Sequence, residues 1–175
     1  RSARVRAGET ALIIGASGGI GTALLQLGQI AGLKLYGIAS KSKHALLMSY
    51  GATPIDYRSE DFVDVIRRVE PGGLDGIVDG MMRLEMIRRS LPLLRNGGRM
   101  VSYGEPANLG ELSRILGLAL KTRLAGSGKA FKLYGTSTYF LGNRKPYLED
   151  WATLFSLLQE GKIKPVIAAR FPILE

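Results

Sequence analysis

The chain has 175 residues, is 46% hydrophobic and carries a formal net charge of +9. This length suits one domain with a sizeable core, and the composition excludes a disordered or collagen-like chain. No apolar run approaches the roughly 20 residues that cross a bilayer. The absence of cysteine excludes disulfides, thiolate zinc sites and cysteine nucleophiles. We therefore expect one cytoplasmic domain over residues 1–175, with no membrane partner.

Short apolar strands alternate with amphipathic helices along most of the chain. The predicted extended segments are 11–14, 33–39, 52–56, 75–79, 99–103 and 130–135, with a last apolar stretch at 165–171. The first predicted helix follows the glycines at 18–21, and the others lie at 44–50, 60–70, 84–94, 109–122 and around 151–158. This alternation predicts an α/β fold, a Rossmann-type doubly wound and mostly parallel sheet with helices on both faces.

Local patterns add detail to these helices. Ser59 is expected to be the N-cap of the helix that begins near residue 60. The glycine-containing turn at 96–98 is expected to close the helix that begins at residue 84. Two helices each carry one apolar stripe at the 3.6-residue period, formed by Ile20, Leu24, Leu27 and Ala31 in the first and by Leu84, Ile87, Leu91 and Leu94 in the fourth.

Residues 16–21 read ASGGIG, a G-x-G-x-x-G pattern with alanine in the first place. The pattern follows a predicted strand and opens a predicted helix, which is the setting of a dinucleotide-binding loop. There Gly18 would let the backbone approach a pyrophosphate, and Gly21 would let the helix pack closely on the strand. The N–H groups of Gly19 and Ile20 would point at the anion from the helix N-terminus. The alternative is a tight strand-to-helix turn with no ligand.

The end of the second predicted strand indicates which dinucleotide is bound. NAD enzymes usually carry Asp or Glu there, about 20 residues after the glycines, to bind the ribose 2′-hydroxyl. This chain has Ser40, Lys41 and Lys43 in that region and no carboxylate. A hydroxyl donor and positive charge favour the 2′-phosphate of NADP(H), although the two lysines could also be a solvated helix start. His44 is expected to be a surface residue beside this pocket.

Two dehydrogenase families share such a glycine pattern. Short-chain dehydrogenases need a Tyr-x-x-x-Lys pair for proton transfer, and none of the seven tyrosines has lysine at the fourth position after it. Longer stretches point elsewhere: GASGGIG (15–21), GATPIDYR (51–58), LPLLRNGGRMVSYG (91–104) and LLQEGKIKPVIAARFPILE (157–175). With them the chain resembles the coenzyme domain of the medium-chain dehydrogenases/reductases, in the zinc-independent quinone oxidoreductase-like branch.

The resemblance implies a cofactor site at the strand ends and no metal. It implies Ser17, Gly18, Gly19, Ile20 and Gly21 at the pyrophosphate, Ser40 and Lys43 at the 2′-phosphate, Tyr57 at the adenosine phosphate or ribose, and Ser102, Tyr103 and Gly104 near the nicotinamide. No catalytic side chain is assigned, because we expect the family's catalytic domain to lie outside this chain. The family often has small residues after Asp79-Gly80, whereas Met81, Met82 and Arg83 follow here.

By the same resemblance, the parent protein would be an NADPH-dependent oxidoreductase that passes hydride to a quinone, enone or similar conjugated carbonyl. We expect the isolated domain to bind cofactor without efficient turnover. An enoyl-reductase module of a larger synthase is an alternative. A non-enzymatic nucleotide-sensing or nucleic-acid-binding module is another, because residues 112–148 hold seven basic and no acidic residues, but they contain no nucleic-acid motif. A homodimer through an edge strand at 130–135 is also expected.

Overall fold

A six-stranded parallel sheet is the centre of the described fold. The structure, a computed structural model, describes residues 5–135, 144–167 and 169. The strands are β1 (Thr10–Ile14), β2 (Lys34–Ala39), β3 (Ala52–Asp56), β4 (Leu74–Asp79), β5 (Leu94–Tyr103) and β6 (Ala130–Tyr134). Their order is β3-β2-β1-β4-β5-β6, and every pair is parallel. The predicted fold class is confirmed, and the chain reverses its direction across the sheet between β1 and β4.

Helices cover both faces of this sheet. They are α1 (Gly19–Ile30), α2 (His44–Ser49), α3 (Phe62–Val69), α4 (Leu84–Ser90), α5 (Leu109–Leu124) and α6 (Arg144–Gln159), with short 3₁₀ turns at Lys41–Lys43 and Leu91–Leu93. One apolar cluster packs α1 and α2 on the sheet, and a larger one packs α3, α4 and α5 on the opposite face. No helix of the described residues is long and apolar enough to cross a membrane.

The apolar stripe predicted for α1 is not the face that lies closest to the sheet, although Leu24 packs against the apolar cluster beneath the helix. Ile20 is 58% exposed, whereas Gly21, Leu25 and Gly28 are buried. A Cβ on Gly28 would lie 2.8 Å from a methyl carbon of Leu35 on β2, so the glycine face brings the helix close to the strand. Helical periodicity thus identified an apolar stripe on α1 but not which face of the helix lies closest to the sheet.

The predicted N-cap of α3, Ser59, was wrong by two residues. The N-cap is Asp61, whose carboxylate accepts a hydrogen bond from the N–H of Val63 at 2.8 Å. Ser59 instead donates its hydroxyl hydrogen to Asp56 at 3.1 Å. The carboxylate at the end of β3 therefore holds Ser59 in the turn that precedes the helix.

The fourth helix is shorter than predicted. It ends at Ser90, a 3₁₀ turn follows, and Leu94 already belongs to β5. Pro92 explains the stop, because it has no N–H to continue the helix. The predicted turn at 96–98 is an irregular part of β5, where the register with β4 jumps from Leu74↔Leu94 to Gly76↔Arg99.

Two predicted elements lie near the C-terminal end of the chain. The helix predicted around 151–158 is present as α6, but Trp151, Phe155 and Leu158 on it are exposed. Part of the apolar stretch predicted at 165–171 lies outside the described residues, and the described residues 165–167 form neither helix nor strand.

Candidate functional site

The loop between β1 and α1 presents unpaired backbone N–H groups. The N–H of Gly18 is used in a tight turn to the carbonyl of Gly15, at 3.1 Å, and the first hydrogen bond of α1 runs from Thr22 to Gly18. The N–H groups of Gly19, Ile20 and Gly21 have no acceptor within the described part of the chain. Three free donors at a helix N-terminus, where the helix dipole is positive, form an arrangement that binds anions.

Gly21 lets this helix begin directly on the preceding loop. A Cβ at this position would lie 2.3 Å from the carbonyl oxygen of Gly15 and 2.7 Å from the backbone of Ala16. No side chain can be that close to a backbone atom, so the geometry requires glycine at residue 21. The close packing of helix on strand that the glycine pattern indicates is therefore present.

A positively charged edge lies at the ends of β2 and β3. Ala39 pairs with Asp56, so the next residues, Ser40 and Tyr57, leave the sheet side by side. Lys41 and Lys43 are exposed in the following 3₁₀ turn, and Tyr57 is exposed. Arg58 adds a cation, with its guanidinium 5.6 Å from the centre of the Tyr57 ring. These side chains could pair with an anion at the adenosine end of a dinucleotide.

A carboxylate lies beneath this edge. The hydrogen bond from the N–H of Arg58, aided by the one from the Ser59 hydroxyl, lowers the pKa of Asp56 despite its burial. His44 is partly buried rather than a fully exposed surface residue. Its Nε2 is enclosed and has no hydrogen-bond partner among the described residues. The two hydrogen bonds to Asp56 fix the turn after β3, which presents Tyr57 and Arg58.

A buried carboxylate lies at the ends of β1 and β4, where the strand order reverses. Asp79 is fully buried at the end of β4. It accepts hydrogen bonds from the N–H groups of Met81 (2.9 Å) and Met82 (3.2 Å) and from the hydroxyl of Ser102 (2.7 Å). Burial raises the pKa of Asp79, and the three hydrogen bonds oppose that rise. The same contacts hold Met82 at a φ of +48°, a conformation that is uncommon outside glycine.

The residues predicted near the nicotinamide take different positions. Ser102 is fully buried and its hydroxyl is bound to Asp79. Tyr103 lies over Gly80, where a Cβ would be 2.6 Å from the phenol oxygen. Burial, and then the charge of Asp79, raise the pKa of Tyr103, so its hydroxyl stays protonated as a donor. Tyr103 and Gly104 line a cavity, and Ser102 supports the loop beneath them.

That cavity has a volume of about 860 Å³ and lies between α1, α6 and the carboxyl ends of β4, β5 and β6. Its lining is mainly apolar and includes Ile20, Leu24, Val78, Tyr103 and Leu154. Small-molecule sites commonly occupy about 300–1,000 Å³ with few polar groups. The space is therefore sufficient for the nicotinamide end of a dinucleotide, and it begins beside the free N–H of Ile20.

Sequence reasoning missed three residues of this region. Arg58 could have been noticed as a cation next to Tyr57 at a strand end. Asp79 and Gln26 could not, because their partners are distant in the chain: Ser102 for Asp79, and the backbone of Lys164 for Gln26. Only the folded arrangement shows these contacts.

The described residues offer no metal site. They contain no group of three or more His, Cys, Asp or Glu side chains that could hold an ion, and the whole sequence has one histidine and no cysteine.

Comparison with known families agrees with this geometry. Residues 50–175 match the family model described as zinc-binding dehydrogenase, and the chain belongs to that family. Within it, the relatives place the chain in the quinone oxidoreductase-like branch of the medium-chain dehydrogenase/reductase superfamily. The name of the family describes its members, whereas the residues described here do not form a zinc site.

Individual relatives cover nearly the whole chain. The synaptic vesicle membrane protein VAT-1 homolog of Rattus norvegicus is 32% identical over 96% of this chain and 44% of its own length. The quinone oxidoreductase of Homo sapiens is 28% identical over 98% of this chain and 50% of its length. The crystal structure of CurK enoyl reductase superposes with a TM-score of 0.81 at 25% identity, over 98% of this chain and 49% of that one. The chain thus spans about half the length of the curated relatives it matches.

Proposed function

We propose that residues 1–175 form a single NADP(H)-binding domain of an oxidoreductase that transfers hydride to a quinone, enone or similar conjugated carbonyl. The observation that carries this proposal is the row of N–H groups of Gly19, Ile20 and Gly21, which have no acceptor among the described residues and lie next to the cavity that Ile20 borders. Membership of the oxidoreductase family supports a nicotinamide nucleotide as the ligand of those groups.

The residues present fit such a cofactor. The three N–H groups can bind the two phosphates. Gly80 lacks the side chain that would collide with Tyr103, so the Tyr103 ring can lie at the cavity wall. When bound, the nicotinamide supplies the redox chemistry. The chain itself binds the phosphates, keeps the Tyr103 hydroxyl protonated at the cavity wall, and excludes water with the apolar lining. Asp79 keeps the loop at residues 80–82 in place.

Preference for NADP(H) over NAD(H) follows from charge at the end of β2. Ser40 can donate a hydrogen bond, and Lys43 supplies positive charge, with Tyr57 and Arg58 on the adjacent strand end. An acidic residue that would repel a 2′-phosphate is absent from residues 38–44. Charge-assisted hydrogen bonds to phosphate are stronger than neutral ones. We therefore propose that the 2′-phosphate binds at this edge.

Lys43→Gln is expected to weaken NADPH binding about tenfold, the loss of one charge-assisted hydrogen bond, and to leave NADH binding unchanged. Lys121→Gln is the matched control, because it removes the same charge from the exposed surface of α5. Fluorescence titration of both variants with both nucleotides measures the effect. Equal weakening of NADPH and NADH binding by Lys43→Gln would contradict the assignment of the 2′-phosphate.

We propose that the isolated chain turns over little substrate, because it spans about half the length of its curated relatives. A steady-state assay of NADPH oxidation with simple quinones tests this. Binding of NADPH with negligible oxidation is the expected result. Robust turnover by this chain alone would show that the substrate site is complete without a further domain.

Enoyl reduction is the second candidate, and the likeness to CurK enoyl reductase favours it. Both candidates deliver hydride to a conjugated acceptor from the same cofactor. The ratio of kcat/KM for an enoyl thioester and for a quinone, measured on the full parent protein, separates them. A homodimer through β6, which is the outermost strand of the sheet formed by the described residues, stays a prediction.

A further inference from the structure

Gln26 is a polar residue buried on α1, only 6% exposed. Its side-chain amide forms two hydrogen bonds with the backbone of one distant residue. Nε2 donates to the carbonyl of Lys164 at 3.1 Å, and Oε1 accepts from the N–H of Lys164 at 2.6 Å. The amide thus pairs with both backbone polar groups of Lys164, as a neighbouring strand would, although the two residues are 138 positions apart in the sequence.

These two bonds hold a segment that we call the strap, residues 163–166, against the first turns of α1. A second cavity, of about 250 Å³, lies between them. Gly19 and Thr22 border it from the helix, and Ile163, Pro165 and Val166 border it from the strap. The N–H of Gly19 is one of the donors for which the described part of the chain offers no acceptor. The strap therefore lies next to the place where the helix N-terminus would bind phosphate.

We propose that the strap forms one wall of the diphosphate site, and that Gln26 is the residue that positions it. This inference rests on the proposed binding of a dinucleotide. An apolar wall beside Gly19 removes water from one side of the bound phosphates. Hydrogen bonds from the helix N–H groups to those phosphates are then stronger than they would be in bulk water. Gln26 itself does not touch the ligand.

Gln26→Met tests the inference, because methionine has similar length and cannot form the two hydrogen bonds. Gln29→Met is the matched control on the exposed side of the same helix. Calorimetry with NADPH and with adenosine 2′-monophosphate, which lacks the diphosphate, gives the readout. Gln26→Met is expected to weaken NADPH binding about fivefold, the effect expected from the loss of one neutral hydrogen bond. Binding of the monophosphate is expected to stay unchanged, and Gln29→Met is expected to change neither.

A second variant keeps the test decisive if Gln26→Met perturbs α1. Pro165→Gly loosens the strap without altering the helix, and it is expected to give the same selective loss of NADPH affinity. The inference would be overturned if Gln26→Met and Pro165→Gly both bound NADPH with wild-type affinity. It would also be overturned if they weakened the binding of NADPH and of adenosine 2′-monophosphate in parallel. Failure of the wild-type chain to bind NADPH at all would instead overturn the proposed function.

Discussion

Replacing Gly21 by alanine is expected to destabilise the fold by about 3 kcal/mol or more, as for overpacking against atoms that cannot move, and to abolish dinucleotide binding. The added Cβ would lie 2.3 Å from the carbonyl oxygen of Gly15 and 2.7 Å from the backbone of Ala16. Since these are backbone atoms between a buried strand and its helix, α1 must move away from β1. Urea unfolding followed by circular dichroism, with NADPH titration of the folded fraction, measures both effects.

Gly19→Ala is the control for this variant. A Cβ at residue 19 meets no heavy atom within 4 Å, so the variant is expected to keep wild-type stability. Its methyl group would nevertheless occupy space beside the free N–H groups, and NADPH affinity is expected to fall. Equal stability of Gly21→Ala and Gly19→Ala would show that the packing at the β1–α1 junction is looser than described.

Asp79→Ala is expected to have the second largest effect, a destabilisation of about 3 kcal/mol, because buried donors lose their acceptor. The affected groups are the hydroxyl of Ser102 and the N–H groups of Met81 and Met82. Without these hydrogen bonds nothing fixes Met82 at its positive φ, and the loop at residues 80–82 is expected to become disordered. Chemical denaturation measures the stability, and NADPH titration reports the loss of the loop.

Ser102→Ala is the milder partner of this change, with an expected cost of about 1 kcal/mol for one hydrogen bond. In the double variant the two costs should not add, because both remove the same contact. Fully additive costs would show that the Asp79–Ser102 hydrogen bond contributes nothing to stability.

Asp79 also predicts a pH dependence with a definite sign. Its pKa is raised in the folded state, so the folded chain holds the proton more tightly than the unfolded chain. The stability from this group is complete below the unfolded pKa of about 3.9 and is lost as pH rises through the folded pKa. Asp79→Asn should remove this decline from the stability profile.

The alternation of strands and helices made the fold class predictable from sequence, because the pattern of elements limits how layers can pack. The glycine spacing at 16–21 likewise predicted the loop that presents the free N–H groups. Periodicity did not show that Ile20 and Leu24 line a cavity between α1, α6 and the strand ends. The local preference for Ser at an N-cap predicted the wrong residue, because Ser59 donates its hydroxyl hydrogen to Asp56 and Asp61 caps the helix.

Contacts between distant residues account for what was missed at the site. The resemblance implies Ser102 near the nicotinamide, which stays a prediction, but it did not show that the Ser102 hydroxyl donates to Asp79, 23 residues earlier in the chain. The burial of Gln26 depends on a segment near the other end of the chain. No local pattern carries such information, since each partner is defined only when the sheet order is known.

We propose above all that the N–H groups at the start of α1 bind the diphosphate of NADP(H). Amide chemical shifts of the ¹⁵N-labelled chain, followed while NADPH is added, test it residue by residue. We expect the largest saturable shifts at Gly19, Ile20 and Gly21, with further shifts at Ser40 and Lys43 that NADH does not produce. Unchanged signals from Gly19 to Gly21 at saturating NADPH, or identical shifts of Ser40 and Lys43 with both nucleotides, would contradict it.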